Sequence, residues 1–86
     1  MKLSDQVATS LAAMHPGVRK DIRRALDEVN AGKKRDVAVL AGRLKGYRRL
    51  RVGRHRVVFR YSDSGELIAE YLGPRGSVYR NFDARD

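Results

Sequence analysis

Arginine recurs at positions 49, 51, 54 and 56, returns at 75, and is followed by a tyrosine at 79. A guanidinium group is a planar fork of N–H donors that matches two oxygens of a phosphate at once, and it stays charged at any physiological pH. Arg49, Arg51 and Arg56 share one face of a strand pair, and with Arg75 from an adjacent loop they can clamp a phosphodiester. Tyr79 can stack on a base or touch a ribose hydroxyl, stacking being worth about 1–3 kcal/mol per base. The set reads in three ways: a solvated surface, a grip on nucleic acid, or the working groups of a catalyst, for which metal-free cleavage at a ribose 2′-hydroxyl is the reaction to weigh. That reaction needs a proton acceptor, donors for the charge that builds on the phosphate, and a group to stabilise or protonate the leaving 5′-oxygen. A guanidinium is a poor acceptor at neutral pH. Lys45 lies close in sequence and can be tuned downward within a positive cluster, and His55 has a suitable intrinsic pKa. Strand alternation, however, turns His55 away from Arg56.

The charge balance agrees with an anionic partner. The 86 residues carry 19 Lys and Arg against 10 Asp and Glu, a net charge of +9. From Arg43 to Arg60 there are eight Lys or Arg and no acid, whereas the first half of the chain interleaves both signs. A solvated face ordinarily mixes signs; a one-sign stretch points to nucleic acid, an acidic protein or a membrane surface. Cysteine is absent, which removes disulfides and thiolate chemistry and fits a reducing cytoplasm. No apolar run is long enough to span a bilayer, and the N-terminus lacks the apolar core of a signal peptide. No His/Cys/Asp/Glu cluster has metal-ligand spacing and no Gly-rich phosphate loop precedes a helix, so no metal or other cofactor is expected.

The elements that must position these groups are legible from periodicity. Ser4 caps a first helix whose Val7, Leu11 and Met14 form one stripe. Pro16 opens a second, with Val18, Ile22, Ala25, Leu26 and Val29 at helical spacing and Gly32 as its stop. The two form an αα-hairpin with one face to bury. His15 at the junction reads as a cap or surface residue. Lys33 to Asp36 is a polar connector, after which Leu40 and Leu44 dock onto the core. From Tyr47 the period becomes two. Leu50 and Val52 point one way and Tyr47, Arg49 and Arg51 the other. After a tight turn at Gly53-Arg54, a strand over His55 to Ser62 sets Val57, Phe59 and Tyr61 against Arg56, Val58 and Arg60. A turn at Ser62 to Gly65 leads to a strand over Glu66 to Leu72, a loop at Gly73 to Gly76 that presents Arg75, and a short strand or tail. The expected fold is α+β: one domain over residues 1–86, an N-terminal αα-hairpin packed on a three- to four-stranded antiparallel sheet. The arginine face should look outward, because burying an unpaired guanidinium is costly. Tyr61 and Tyr71 read as core or edge residues.

The order of two helices, "LKGYRRLRVGRHRVVFRY", an acidic-Gly turn and "EYLGPRGSVY" resembles the RelE/ParE superfamily of bacterial toxin–antitoxin toxins. The match covers Leu40 to Tyr79 by motif and Val7 to Val29 by pattern. The resemblance implies the RelE-like microbial ribonuclease-type fold. The RelE type is a ribosome-dependent, metal-independent endoribonuclease that cuts mRNA in the A site, inhibits translation, and is held in a hetero-oligomer by a cognate antitoxin. It places the catalytic positions on Arg49, Arg51, Arg56, Arg75 and Tyr79. Lys45, Arg48, Arg54, Arg60 and Arg80 are then candidates for RNA or ribosome contact. It implies a cytoplasmic protein with no membrane partner. Two alternatives share the fold: a ParE-type inhibitor of DNA gyrase without nuclease groups, and a non-catalytic RNA- or ribosome-binding relative. Arg49 and Arg51 stand where the RelE type often has Lys, and "MKL" is at most a stub of the family's usual first strand. A missing first strand would leave a sheet edge for an antitoxin strand to fill.

Overall fold

The computed structural model describes residues 1–77 and 82. Its elements run β1 (Lys2–Leu3), α1 (Asp5–Ala12), α2 (Pro16–Asn30), β2 (Val37–Val39), a single 3-10 turn (Gly42–Leu44), β3 (Arg48–Val52), β4 (His55–Tyr61) and β5 (Leu67–Pro74). Ser4 accepts a hydrogen bond from the Val7 N–H at 3.2 Å, and Asp5 in the first turn complements the positive end of the helix. Pro16 begins α2, where its missing N–H costs nothing, and the His15 ring accepts from the Gly17 N–H at 3.1 Å. After Asn30 the last turn is closed by the Lys33 N–H donating to the Glu28 carbonyl at 2.8 Å.

The apolar stripes of both helices meet one face of the sheet. Val7 and Leu11 from α1 and Ile22, Ala25, Leu26 and Val29 from α2 pack with Leu50, Val57, Phe59, Leu67, Ala69 and Leu72. Each fully buried large side chain contributes about 1.5–3 kcal/mol relative to exposure.

The sheet corrects the sequence reading. It has five strands in the order β1-β5-β4-β3-β2, and β1 runs parallel to β5, so it is mixed rather than a three- to four-stranded antiparallel meander. The two added strands are two and three residues long, too short to display a period of two. The stub at Lys2–Leu3 is thus a paired strand, and β5 is not an open edge there. Its edge is closed further along by a side chain: the Gln6 amide donates to the Leu72 carbonyl and accepts from the Leu72 N–H, each at 2.8 Å. Gln6→Ala is expected to cost about 1–3 kcal/mol in urea unfolding, because Leu72 would keep a buried donor and acceptor without partners. A loss of less than half that would show that water replaces the amide.

Leu44 is buried, but it and Val58 lie outside the helix-side cluster; Val58 alternates to the other face of β4. On that face Tyr47 and Tyr71 contact Phe82, with ring centroids 5.3 and 6.0 Å apart. The face expected to be open arginine is therefore partly apolar.

A bulge re-aims β5. Val58 pairs with Tyr71 and Phe59 with Ala69, leaving Glu70 as the extra residue. Its carboxylate receives the Arg60 Nε at 2.7 Å. This bond is the first cause of the raised Arg60 pKa, with burial opposing it. Because the pKa is raised, the associated stabilisation is complete at every pH below the ordinary arginine value and is lost only above it. Arg60 titration thus adds no pH dependence near neutrality. Glu70→Gln is expected to cost under about 1 kcal/mol, since the pair is part-exposed; a loss several times larger in thermal unfolding would assign Glu70 a wider structural role.

Candidate functional site

The strand register sets four side-chain positions in a row across the sheet. Arg51 pairs with Arg56 and Arg56 with Gly73. On the far flank the Arg51 N–H donates to the Asp36 carbonyl at 3.0 Å, which puts Asp36 opposite Arg51 just before β2. The neighbouring row is Ala38, Arg49, Val58 and Tyr71.

Beside the first row lies a cleft of ≈ 470 Å³ lined by Arg51, Gly53, Arg54, Arg56, Pro74 and Arg75. Four arginines are in that lining, and no carboxylate is among its described residues. Two backbone features build it. Gly53 opens the β3–β4 turn at φ +57° while Arg54 stays at negative φ, the pattern of a type II′ hairpin, which fits the twist of the flanking strands. The Arg75 N–H then donates to the Arg54 carbonyl at 2.8 Å and fastens the end of β5 to that turn. Gly73 is required for a different reason. A Cβ there would lie 2.8 Å from Cε2 of Tyr71, so glycine lets the Tyr71 ring cross the strand beside the cleft.

Arg56 departs from expectation. It is 7% exposed, the floor of the cleft rather than an outward side chain. Its burial is tolerable because Nη1 donates to the carbonyls of Gly53 and His55, at 3.1 and 3.0 Å. Those two bonds fix the guanidinium plane against the hairpin turn.

The structure brings together Arg51, Arg54, Arg56 and Arg75. It does not bring Arg49 into the cleft lining: Arg49 is mostly buried, its Nη2 bonds the Asp36 carboxylate at 3.2 Å, and its buried Nε has no partner among the described residues. Arg48 lies on the other side of β3, its guanidinium 5.4 Å from the Tyr61 ring centroid. Arg60 is held by Glu70. Lys45 is exposed after the 3-10 turn, and neither it nor His55 lines the cleft. Tyr79 and Arg80 lie outside the described residues. Sequence reading passed over Asp36, treating it as part of a polar connector. The available signal was that it is the sole acid between Glu28 and Asp63.

Among the described residues no group of three His, Cys, Asp or Glu could hold a metal ion, and no helix is long and apolar enough to cross a membrane.

The fold is one found in toxin–antitoxin complexes. The chain is similar to one in the RelB–RelE antitoxin–toxin complex of Methanococcus jannaschii, with a TM-score of 0.76 and 21% identity over 95% of this chain and 99% of that one. It is also similar to one in the RelBE2 toxin–antitoxin complex of Mycobacterium tuberculosis, with a TM-score of 0.72 and 17% identity over 86% and 94%. A third similarity is to the YoeB–YefM complex of Staphylococcus aureus, with a TM-score of 0.69 and 19% identity over 83% and 90%. No protein-family model and no curated protein sequence matches the chain.

Proposed function

We propose that this chain is the toxin of a toxin–antitoxin pair, a RelE-type endoribonuclease that cleaves mRNA in the ribosomal A site and so inhibits translation. The observation that carries the reading is the arginine-rich cleft: Arg51, Arg54, Arg56 and Arg75 line one depression, with no acid among the described lining residues. A net charge of +9 adds long-range attraction to the ribosome and its mRNA.

In the proposed reaction the 2′-hydroxyl gives up its proton to solvent and its oxygen attacks phosphorus as the bond from phosphorus to the 5′-oxygen breaks, leaving a 2′,3′-cyclic phosphate and a 5′-oxygen that takes a proton from solvent. Negative charge accumulates on the non-bridging oxygens, and fixed guanidinium donors stabilise it more in the transition state than in the ground state. Arg56, anchored to the hairpin turn, supplies a pre-oriented group; Arg51 approaches from β3 and Arg75 from the turn after β5. The cleft thus contributes charge stabilisation and positioning of the phosphate. A cognate antitoxin would neutralise the basic surface with acidic residues. With β5 covered by β1 and Gln6, an antitoxin strand has no open edge beside β5 to fill.

A reconstituted translation reaction, run beside a gyrase supercoiling reaction, tests the assignment. Translation should stop at a protein concentration that leaves supercoiling unaffected. Loss of supercoiling with translation intact would favour the gyrase-inhibitor alternative, and no effect in either would leave a binding module.

A further inference from the structure

Asp36 stands next to the cleft, yet the proposed chemistry has no use for a carboxylate there. One of its oxygens, Oδ1, lies 3.2 Å from Arg49 Nη2, and the other, Oδ2, lies 3.8 Å from Arg51 Nε. One carboxylate therefore spans two arginines, much as two oxygens of a phosphate would. Its place is fixed by the backbone, through the 3.0 Å bond from the Arg51 N–H to the Asp36 carbonyl. Arg51 is a wall of the cleft. Its side chain and that of Asp36 are both more than half exposed, so an incoming anion can reach the pair, and exposed ion pairs are held weakly.

We propose that Asp36 is a resident competitor for phosphate: its carboxylate holds Arg49 and Arg51, and a phosphodiester entering the cleft displaces it from at least Arg51. The proposal rests on reading the cleft as a phosphate site. It gives the acid a function. Arg51 and Arg56 face each other directly across two strands, an arrangement of like charges that is unfavourable when empty. Asp36 balances that charge in the free protein and yields to the substrate in the complex. It also sets selectivity, because isolated weak anions must compete with a tethered carboxylate, whereas a polyanion that engages Arg54, Arg56 and Arg75 together does not depend on Arg51 for its first contact.

The test measures binding of a short single-stranded RNA, 2′-O-methylated so that it cannot be cut, by fluorescence anisotropy over a range of salt concentrations. Asp36→Asn is expected to bind about five- to tenfold more tightly at low salt and to steepen the salt dependence by about 0.7 for each arginine released. Asp36→Glu should retain the wild-type behaviour, and Arg51→Ala made together with Asp36→Asn should cancel the gain. Circular dichroism confirms that each variant is folded. Unchanged affinity and slope in folded Asp36→Asn would overturn the proposal. Weaker binding would overturn it too, by making Asp36 a group that orients Arg51 for the ligand. Tighter binding by Asp36→Asn with no cut on ribosome-bound mRNA would retain the competitor and reject the nuclease. Cutting with Asp36→Asn indistinguishable from wild type in binding would do the reverse.

Discussion

Arg75→Ala is expected to lower the rate of mRNA cleavage on the ribosome by about 10²–10³, the usual cost of removing one fixed donor from a site that stabilises a developing anion. Arg75 is exposed and its backbone N–H donates to the Arg54 carbonyl, so alanine can keep the loop in place. The loss should therefore appear in the rate at saturating ribosome, with little change in unfolding. Arg75→Lys should recover only part of it, since a point charge replaces a bidentate fork. Single-turnover cleavage of ribosome-bound mRNA checks both variants. A variant that cuts at the wild-type rate would remove Arg75 from the chemistry.

Phe59→Ala is expected to destabilise the fold by about 3–5 kcal/mol, through lost burial and the cavity left behind. Phe59 is fully buried between the helices and the sheet, with its ring edge-on to Tyr61 at 5.8 Å. A chain this short buries a smaller share of its surface than a larger domain does, and total stability is commonly only about 5–15 kcal/mol. One such change should consume much of it and shift the urea midpoint to low concentration. A loss below about 1 kcal/mol would mean that the helices close onto the sheet without this ring.

Much of this architecture is written in local patterns. The caps at Ser4 and Pro16, the stripes of both helices and the alternation along β3 and β4 each express a rule acting over a few residues, and the two helices and three long strands they predict are present; β5 runs on to Pro74, through half of the loop expected at Gly73 to Gly76, and the short strand or tail expected after it lies largely outside the described residues. Two strands carry no pattern of their own: Lys2–Leu3, expected only as a stub and only through the resemblance, and Val37–Val39 are made by their partners. The site was legible as a set of arginines but not as a geometry. Alternation put Arg49, Arg51 and Arg56 on one face; it could not show that Arg56 would be buried against carbonyls of its own hairpin turn, or that Asp36 would claim Arg49 from a distant connector. The first depends on how one side chain folds back on a turn one to three residues away, and the second on register between β3 and the connector before β2. Leu44 illustrates the same limit: its burial was foreseen, but not that it lies apart from the helix-side core.

Primer extension on a defined mRNA in purified ribosomes with an empty A site decides whether the arginine cleft cuts mRNA held on the ribosome. Cuts confined to the A-site codon, absent on naked mRNA and lost in Arg75→Ala, are the expected result. No cut at any protein concentration, on ribosomes that other A-site ligands still occupy, would contradict it.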